Sequence, residues 1–334
     1  MTLSIRFGTL GAAAITPGAL VAPASDRDDV KITATAARDR SRAEAFAAEH
    51  GIRDVLDSYR QVVEHPEVNA VYNPLPIHLH KEWTIAALRA GKHVLCEKPF
   101  ACNAAEAEEM ARVARETGLV LMEAMHSRHH PLFARAAEIV ASGVLGPVSR
   151  FEGWLNVDIR EDDDLRRRYE LGGGALMDLG VYPLTWACFL LGERPQILSA
   201  RARARTGNPN VDIGMDAELR YPSGASGHIS CAMSSDRKHT DNAIVVEGMR
   251  GTLRVLNPLV PQYGHKIELT IDGVTREETQ SRRSSYAYQL DAFVDAVVAG
   301  GEILTDADSA VSVMHLVDDC YRGADLPLRG LRLT

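Results

Sequence analysis

The stretch Phe7-Gly-Thr-Leu-Gly-Ala-Ala-Ala-Ile15 lies where a short apolar run ends and an alanine-rich segment begins. The apolar run predicts a β-strand and residues 13–22 predict a helix, so Gly11 would form a tight turn between them. At such a turn, backbone N–H groups and the helix N-terminus can bind a pyrophosphate. The alternative is a turn that only packs helix on strand, because Gly11 alone matches the G-x-G-x-x-G pattern cleanly. The residues that would contact phosphate are Gly11, Ala12, Ala13, Ala14 and Ile15.

Strands and helices alternate around this turn over the first third of the chain. The predicted strands are residues 4–10, 30–36, 70–73, 93–96 and 119–124. The predicted helices are residues 13–22, 40–50, 80–90 and 104–117. This alternation predicts an α/β domain, a doubly wound parallel sheet over residues 1–125.

The second domain, residues 126–334, has a different pattern. Strand-like stretches follow one another with turns and few helices between them: 148–157, 216–221, 226–234, 242–247, 251–255 and 267–270. Helices are predicted at 286–299 and 306–322. The pattern predicts an α/β domain with an open, mainly antiparallel sheet.

Composition and charge exclude several classes of protein. The 334 residues are 46% apolar and 25% charged, as in soluble globular proteins of two domains. The net charge of −8 argues against nucleic acid or an anionic membrane as a partner. The apolar stretches 9–24 and 173–191 contain proline or aspartate, so neither predicts a membrane segment. Five cysteines without Cys-x-x-Cys spacing predict no disulfide framework or zinc site, and a cytoplasmic location.

The end of the second predicted strand bears on cofactor choice. An NAD site usually has an acid there that bonds the adenine ribose, but this strand ends in alanines followed by Arg38 and Asp39. The guanidinium of Arg38 can bind a 2′-phosphate, which favours NADP. NAD remains possible as the cofactor if the Asp39 side chain turns inward. The remaining alternative is that these residues form a plain surface loop.

Two further motifs carry acid–base groups. Glu97-Lys98-Pro99 follows a predicted parallel strand, at the end where ligands bind in open α/β sheets. Asp178 lies in an apolar helix, four residues before Tyr182, so the two share a face. Lys98, Asp178 and Tyr182 therefore make a plausible proton-transfer set. The alternatives are an exposed Lys-Pro turn and an Asp that caps a neighbouring element.

Histidines are plentiful but lack metal-ligand spacing. His126, His129 and His130 cluster without the His-Glu-x-x-His pattern, so we expect packed or solvated rings and no metal. His78 and His80 share a face only if the backbone is extended.

Five stretches of the chain resemble the Gfo/Idh/MocA oxidoreductases, the family of glucose–fructose oxidoreductase and inositol dehydrogenase. They are residues 7–15, 71–80 (VYNPLPIHLH), 91–99 (GKHVLCEKP), 170–182 (ELGGGALMDLGVY) and 286–293 (YAYQLDAF). The resemblance implies an N-terminal Rossmann domain, a nicotinamide cofactor and a sugar-like or cyclic-polyol substrate. It also implies hydride transfer, with Lys98, Asp178 and Tyr182 as catalytic residues.

The resemblance extends the set of cofactor-binding candidates to Pro74, Leu75, Pro76, His80, Glu97 and Lys98. Tyr182, where many members have histidine, is similar to branches that often use NADP. Ile77 and Thr16 depart from the family pattern beside the nicotinamide and in the phosphate turn. Two alternatives stay open: a non-catalytic NAD(P)-binding regulator, and a reductase of nucleotide-linked keto-sugars whose diphosphate would contact Arg128 or residues 166–168.

The resemblance and one strand also predict a homodimer or tetramer. Over residues 226–234, Ile229, Cys231 and Met233 would face one side of the sheet. The other side would carry His228, Ser230 and Ala232, a small and partly polar set that a second copy could cover.

Overall fold

The protein is described by a computed structural model that covers residues 4–159, 165–205, 207–233 and 240–332. Its contacts divide the chain into two units. The first unit comprises Met1–Ala101, Ala105–His126 and Tyr286–Val311, and the second comprises Cys102–Ala104, Ser127–Ser285 and Ser312–Thr334. The expected second domain, residues 126–334, thus differs at its end, since 286–311 cluster with the first unit.

The strands form two separate sheets. The first unit contains β1 Ile5–Leu10, β2 Val30–Ala36, β3 Asp54–Val55, β4 Ala70–Asn73, β5 His93–Cys96 and β6 Leu121–Glu123. The second unit contains β7 Val148–Asn156, β8 Gln196–Arg205, β9 Asn208–Arg220, β10 Ser226–Ala232, β11 Asp241–Gly248, β12 Gly251–Leu256, β13 Lys266–Ile271 and β14 Val274–Glu278.

Nine α-helices occur in the part of the chain that the structure describes. They are α1 Ala22–Ser25, α2 Arg40–His50, α3 Tyr59–Glu64, α4 His80–Arg89, α5 Ala104–Thr117, α6 Pro131–Ala141, α7 Val181–Leu190, α8 Ser285–Ala299 and α9 Ala307–Gly323. A π-helical turn precedes α1 at Pro17–Val21 and another precedes α7 at Leu176–Gly180. No helix among these combines the length and apolar character needed to cross a bilayer.

The sheet of the first unit is parallel, in the order β3-β2-β1-β4-β5-β6. The chain moves from β1 outward to β3, then returns to β4 on the other side of β1. The strand order reverses between β1 and β4, and the crevice outside their carboxyl ends is where such sheets bind ligands. The expected doubly wound sheet is confirmed.

Helix α8 completes the core of the first unit although it lies near the end of the sequence. Leu290, Phe293 and Val294 are buried in the same cluster as Phe7 of β1, and the Phe7 and Phe293 ring centroids are 5.4 Å apart. The guanidinium of Arg27 also donates to Asp291 at 2.6 Å. These apolar contacts explain why 286–311 separate from the second unit.

The sheet of the second unit has the order β14-β13-β12-β11-β7-β10-β9-β8. Among its described strand pairs β7 and β10 are parallel and the others are antiparallel, which confirms the expected open, mainly antiparallel sheet. Helix α7, apolar all round, contacts β7 and β10 and is buried almost throughout. A helix of that composition must be enclosed by protein.

The elements differ from the sequence-based expectations mainly at their ends. The first helix begins at Pro17, not at residue 13, because proline fits the first helical position, whereas Thr16 N–H closes a separate turn on Ala13 O. Strand β8 was not predicted because its alternating alanines and arginines carry little hydrophobic signal. The exposed β14 and the proline-initiated α6 were missed too.

Candidate functional site

The turn after β1, residues 11–16, has features of an anion site and is called the phosphate turn below. Gly11 has φ +86°, a left-handed conformation that glycine adopts without strain, and its N–H donates to Ala36 O at 2.7 Å. A Cβ on Gly11 would lie 3.3 Å from Leu75 Cδ2. The backbone N–H groups of residues 12–15 have no acceptor among the described residues. Unpaired N–H groups at the start of a helix are the donors that a phosphate needs.

Arg38 and Asp39 follow β2 and have different roles. The Asp39 carboxylate accepts from the Ser41 N–H at 2.9 Å and from Ser41 Oγ at 2.7 Å, so it caps α2. The bond from Ser41 lowers the pKa of Asp39. The exposed guanidinium of Arg38 has no hydrogen-bond or ion-pair partner among the residues described.

Arg42 is a neighbouring cation that the sequence analysis missed. From α2, its Nη2 donates to Ala12 O in the phosphate turn at 3.1 Å. Its spacing of four from Arg38 was the available signal. The hydrogen bond to the Ala12 carbonyl therefore places a second guanidinium group, that of Arg42, at the turn.

The loop after β4 is held by two buried polar side chains. Asn73 Nδ2 donates to Thr84 Oγ1 at 3.2 Å, and its Oδ1 lies 3.4 Å from the Leu75 N–H. His80 lies with Nε2 2.7 Å from Leu75 O and Nδ1 3.0 Å from Pro99 O. Burial lowers the pKa of His80 to about 4, although the two carbonyl oxygens favour its protonated form. His80 therefore joins two loops through its ring nitrogens, and a direct contact with the cofactor stays a prediction.

Glu97 and Lys98 follow β5 in the same unit. The Tyr72 hydroxyl, from β4, donates to Glu97 Oε1 at 2.6 Å, and burial raises the pKa of that tyrosine. Glu97 is nearly enclosed, whereas Lys98 is half-buried. Holding Glu97 by Tyr72 fixes the backbone from which Lys98 projects.

Two glycines in the second unit allow a close meeting of three segments. A Cβ on Gly173 would lie 2.5 Å from Arg166 O, and one on Gly174 would lie 2.2 Å from Asp212 Oδ1. The Gly174 N–H donates to Arg166 O at 2.8 Å. The run of glycines therefore lets the Arg166 segment and Asp212 approach the turn before the Asp178 helix.

Asp178 lies in the π-helical turn that begins this helix. Its N–H donates to Gly174 O at 3.0 Å, and its Oδ2 lies 3.0 Å from Arg166 Nε. The Arg166 side chain is 44% exposed and that of Asp178 is 18% exposed, so the ion pair is partly open to solvent. Tyr182 is 4% exposed and its ring centroid is 6.4 Å from that of Trp186. The structure thus places Asp178 and Tyr182 on one helix, with Arg166 beside Asp178.

Asp212 and Arg329 form a buried ion pair that sequence analysis did not single out. Arg329 Nη2 and Asp212 Oδ1 are 2.7 Å apart, and both side chains are 0% exposed. Burial raises the pKa of Asp212, and the charge of Arg329 opposes that rise. Nothing in the sequence signals the pair, because its members are 117 residues apart.

The clustered histidines are packed in the structure, as expected from their spacing. His126 stacks on Tyr286 at 4.0 Å between ring centroids, and His130 Nδ1 accepts from Leu132 N–H at 3.1 Å and so caps α6. Burial lowers the pKa of His129 to about 3 and that of His130 to about 4. Within the described residues no group of three or more His, Cys, Asp or Glu side chains is arranged to hold a metal. The five cysteines are buried free thiols.

A dinucleotide fits the residues of the first unit. Thr16 Oγ1 is buried in the phosphate turn without a hydrogen-bond partner among the described residues, and the N–H groups of residues 12–15 are unpaired there as well. Such groups cost free energy unless a ligand or water satisfies them. A doubly wound sheet with these donors at its switch point defines a nucleotide-cofactor-binding protein.

Comparison with known proteins gives the class a family. Residues 5–125 match the "oxidoreductase family, NAD-binding Rossmann fold" of the GFO_IDH_MocA proteins, and residues 133–254 match the GFO/IDH/MocA C-terminal domain. The chain belongs to the Gfo/Idh/MocA oxidoreductases, as the resemblance of its motifs predicted. It is an NAD(P)-dependent oxidoreductase.

Similar proteins of known activity or structure match nearly the whole chain. D-xylose 1-dehydrogenase (NADP(+)) 2 of Haloferax volcanii is 33% identical, over 96% of this chain and 98% of the relative. Trans-1,2-dihydrobenzene-1,2-diol dehydrogenase of Bos taurus is 35% identical over 70% of this chain and 68% of its own. The crystal structure of a 3-ketoreductase from Actinomadura kijaniata, in complex with NADP and TDP-benzene, has a TM-score of 0.89 and 30% identity, covering 96% of this chain and 98% of that one.

Proposed function

We propose that the protein is an NADP(H)-preferring dehydrogenase or reductase that acts on a CH–OH group of a sugar, cyclic polyol or dihydrodiol. The similarity to enzymes named for xylose and for a dihydrodiol supports this substrate class. The cofactor would supply or accept the hydride when bound. The residues of this chain would bind it, orient the substrate and move the proton.

The cofactor preference is carried by one observation: Asp39 caps α2 while Arg38 has no described partner. A carboxylate engaged with Ser41 is a poor partner for the ribose hydroxyls that NAD presents. A free guanidinium can bind a 2′-phosphate through two parallel hydrogen bonds. Arg42, already bonded to Ala12 O, adds positive charge at the same turn.

The positions of the loops support the remaining proposed cofactor contacts. The N–H groups of residues 12–15 and the Thr16 hydroxyl would bind the pyrophosphate. The loop of Pro74, Leu75 and Pro76 would border the nicotinamide, while His80 and Glu97 would fix that loop and the Lys98 backbone through the bonds described above.

Lys98 and Tyr182 are the proposed proton-transfer groups. In the oxidation direction Tyr182 Oη, in its phenolate form, would accept the proton of the substrate hydroxyl. In the reduction direction Tyr182 returns that proton. An unperturbed tyrosine titrates near ~10, so the cationic Lys98 would favour the phenolate form. Asp178, held by Arg166, would accept a hydrogen bond from a neighbouring substrate hydroxyl.

A reductase of nucleotide-linked keto-sugars is the second candidate. It is favoured by the similarity to the 3-ketoreductase of Actinomadura kijaniata, whose structure contains NADP and TDP-benzene. Three of the cations expected to bind its diphosphate have partners in the chain: Arg166 pairs with Asp178, Arg167 donates to Ile159 O, and Arg128 lies over the Phe189 ring at 3.6 Å. Arg168, the fourth, is exposed. The similarity to enzymes named for xylose and for a dihydrodiol keeps the free sugar as the first candidate.

A substrate panel tests both candidates. Absorbance of the reduced cofactor is followed with NADP⁺ and NAD⁺ on D-xylose, other aldoses, inositols and a dihydrodiol, and with NADPH on a TDP-linked keto-sugar. We expect turnover on free sugars or polyols with NADP⁺. Turnover confined to the TDP-linked compound would select the second candidate, and no turnover on any member would contradict both.

We further propose a homodimer, or a tetramer, in a reducing cytoplasm. The face of β10 opposite the buried Ile229 and Cys231 carries half-buried His228 and Ser230, with Trp154 of β7 next to Ser230 in the register. A second copy would cover this mixed face. Light scattering that finds only a 36.4 kDa species at micromolar concentration would contradict the assembly.

A further inference from the structure

The buried pair of Asp212 and Arg329 lies against the start of the helix that carries Asp178 and Tyr182. Asp212 is on β9, and Arg329 follows α9 near the end of the chain. Both side chains are fully buried, and burying two charges is costly unless their hydrogen-bonding capacity is met. Two apolar side chains of similar volume would avoid that cost. The presence of charged side chains at positions 212 and 329 therefore needs a physical reason.

The hydrogen bonds of the pair are directed at one turn of backbone. Asp212 Oδ2 accepts from the Leu176 N–H at 2.7 Å, and Arg329 Nε donates to Gly173 O at 2.6 Å. The turn between Gly173 and Leu176 is therefore held at both ends. Asp178 lies two residues after Leu176, and its backbone N–H donates to Gly174 O.

The other bonds of the pair fix the charges themselves. The Tyr321 hydroxyl, from α9, donates to Asp212 Oδ1 at 3.0 Å, and Arg329 Nη1 donates to Pro327 O at 2.8 Å. The guanidinium carbon also lies 4.1 Å from the Tyr321 ring centroid. These contacts leave the two side chains little freedom to rotate. The pair can therefore hold the Gly173–Leu176 turn in one orientation.

We propose that Asp212 and Arg329, supported by Tyr321, are positioning residues for the reaction. They set the orientation of the Gly173–Leu176 turn and through it the direction in which Asp178 and Tyr182 project. This inference rests on the proposed function, in which those two side chains act on the substrate. It makes the segment after α9, through Arg329, a required part of the active site.

The first test compares Arg329→Ala with Arg332→Ala, an exposed arginine three residues further on. Activity is measured with NADP⁺ and D-xylose, or the panel sugar turned over fastest, and cofactor Kd by NADPH fluorescence. We expect Arg329→Ala to lower kcat at least tenfold with cofactor Kd changed less than twofold. Millimolar guanidinium should restore activity at least threefold, and Arg332→Ala should stay within twofold of the unaltered protein. An Arg329→Ala protein with native near-UV circular dichroism and kcat within twofold would overturn the proposal.

A milder variant covers the case in which Arg329→Ala does not fold. Tyr321→Phe keeps the ring and removes only the hydroxyl that donates to Asp212. We expect it to fold, to lower kcat about threefold or more and to leave cofactor Kd unchanged. Unchanged kcat and KM in folded Tyr321→Phe would count against the positioning role.

A spectroscopic reading separates this inference from the proposed function. In a Trp83→Phe, Trp154→Phe background, Trp186 on α7 is the remaining tryptophan and reports on the helix without any chemistry. We expect its emission to shift in the Arg329 and Tyr321 variants. A shift together with a fully active Tyr182→Phe enzyme would refute the proposed function and retain the positioning. An inactive Tyr182→Phe enzyme with unchanged Trp186 emission and kcat in the Arg329 variant would do the reverse.

Discussion

In the first unit the hydrogen bonds described for the functional residues join positions at most 30 residues apart, whereas in the second unit the turn before Asp178 is also held by partners 36 and 156 residues away. Asp39 bonds Ser41 two residues on, His80 bonds Leu75 five residues back, and Tyr72 bonds Glu97 after 25 residues. In the second unit, Leu176 and Asp212 are 36 residues apart, and Gly173 and Arg329 are 156 apart.

The difference follows from the two kinds of sheet. In a parallel sheet each strand ends at the same edge, so successive loops of a βαβ chain meet there by construction. In the antiparallel unit the site helix is connected to the sheet by side chains from β9 and from the end of the chain. A substitution in the first unit should therefore perturb mainly residues near it in sequence. A substitution in the second unit should also perturb residues far away along the chain.

The largest effect is expected at the proposed reacting groups, one in each unit. Lys98→Met and Tyr182→Phe should each lower kcat by about 10²-fold or more, because each removes a proton-transfer group. Cofactor binding should persist in both variants. The measurements are steady-state rates and NADPH fluorescence titration. Lys81→Met, at a partly exposed site, and Tyr263→Phe, at an exposed one, are the matched controls. Near-normal turnover in Tyr182→Phe would leave Lys98 alone as the proton donor.

Acid should act on both units through buried histidines. Burial holds the pKa of His80 and of His130 at about 4, below the ~6.5 of an unfolded chain. Between these values the unfolded state binds more protons, so stability is full above pH ~6.5 and is lost as the pH falls toward 4. At pH 5 each of these two histidines should lower the free energy of unfolding by about 2 kcal/mol relative to neutral pH.

The replacement of His130 by asparagine isolates this effect. Asparagine can cap α6 as the neutral His130 does, but it does not titrate. Urea unfolding at pH 7 and pH 5 should show a smaller loss of stability in His130→Asn than in the unaltered protein. Equal losses in the two proteins would show that His130 is already protonated, or accessible, when folded.

Cofactor preference tests whether the first unit responds locally. Arg38→Ala should weaken NADP(H) about tenfold or more, or ~1.4 kcal/mol, and leave NAD(H) within about twofold. Arg40→Ala is the control, since Arg40 pairs with Glu44 and Asp57. Fluorescence titrations with both reduced cofactors make the comparison. Equal losses for the two cofactors in Arg38→Ala would refute the 2′-phosphate role.

The smallest effect is expected at Gly18, on the helical segment after the phosphate turn. Its φ is not positive, and a Cβ there would meet nothing within 4 Å. Gly18→Ala should therefore raise the unfolding free energy by about 0.5–1 kcal/mol, because alanine loses less backbone entropy on folding. The midpoint of urea unfolding measures it. A loss of stability would mean that the segment needs a conformation that alanine resists.

Much of the first unit was predictable because its signals are local. The bounds of β2, β4, β5, α2 and α5 coincide with those expected from apolar runs and glycine stops. Lys98, Arg38 and the phosphate turn could be located because strand ends mark the ligand edge of a parallel sheet. The family motifs identified Asp178 and Tyr182, but not what orients them.

The sequence by itself determined the class of fold and indicated the proposed cofactor turn and acid–base residues, since hydrophobic period, turn residues and motif spacing are properties of neighbouring positions. Only the tertiary structure decided that α8 packs on the first sheet, that Asp39 is a helix cap and that Arg329 bonds Asp212. Each of these depends on which partner a side chain meets after folding. A buried charge reveals its role only through that partner, because isolated it would be unstable in the interior.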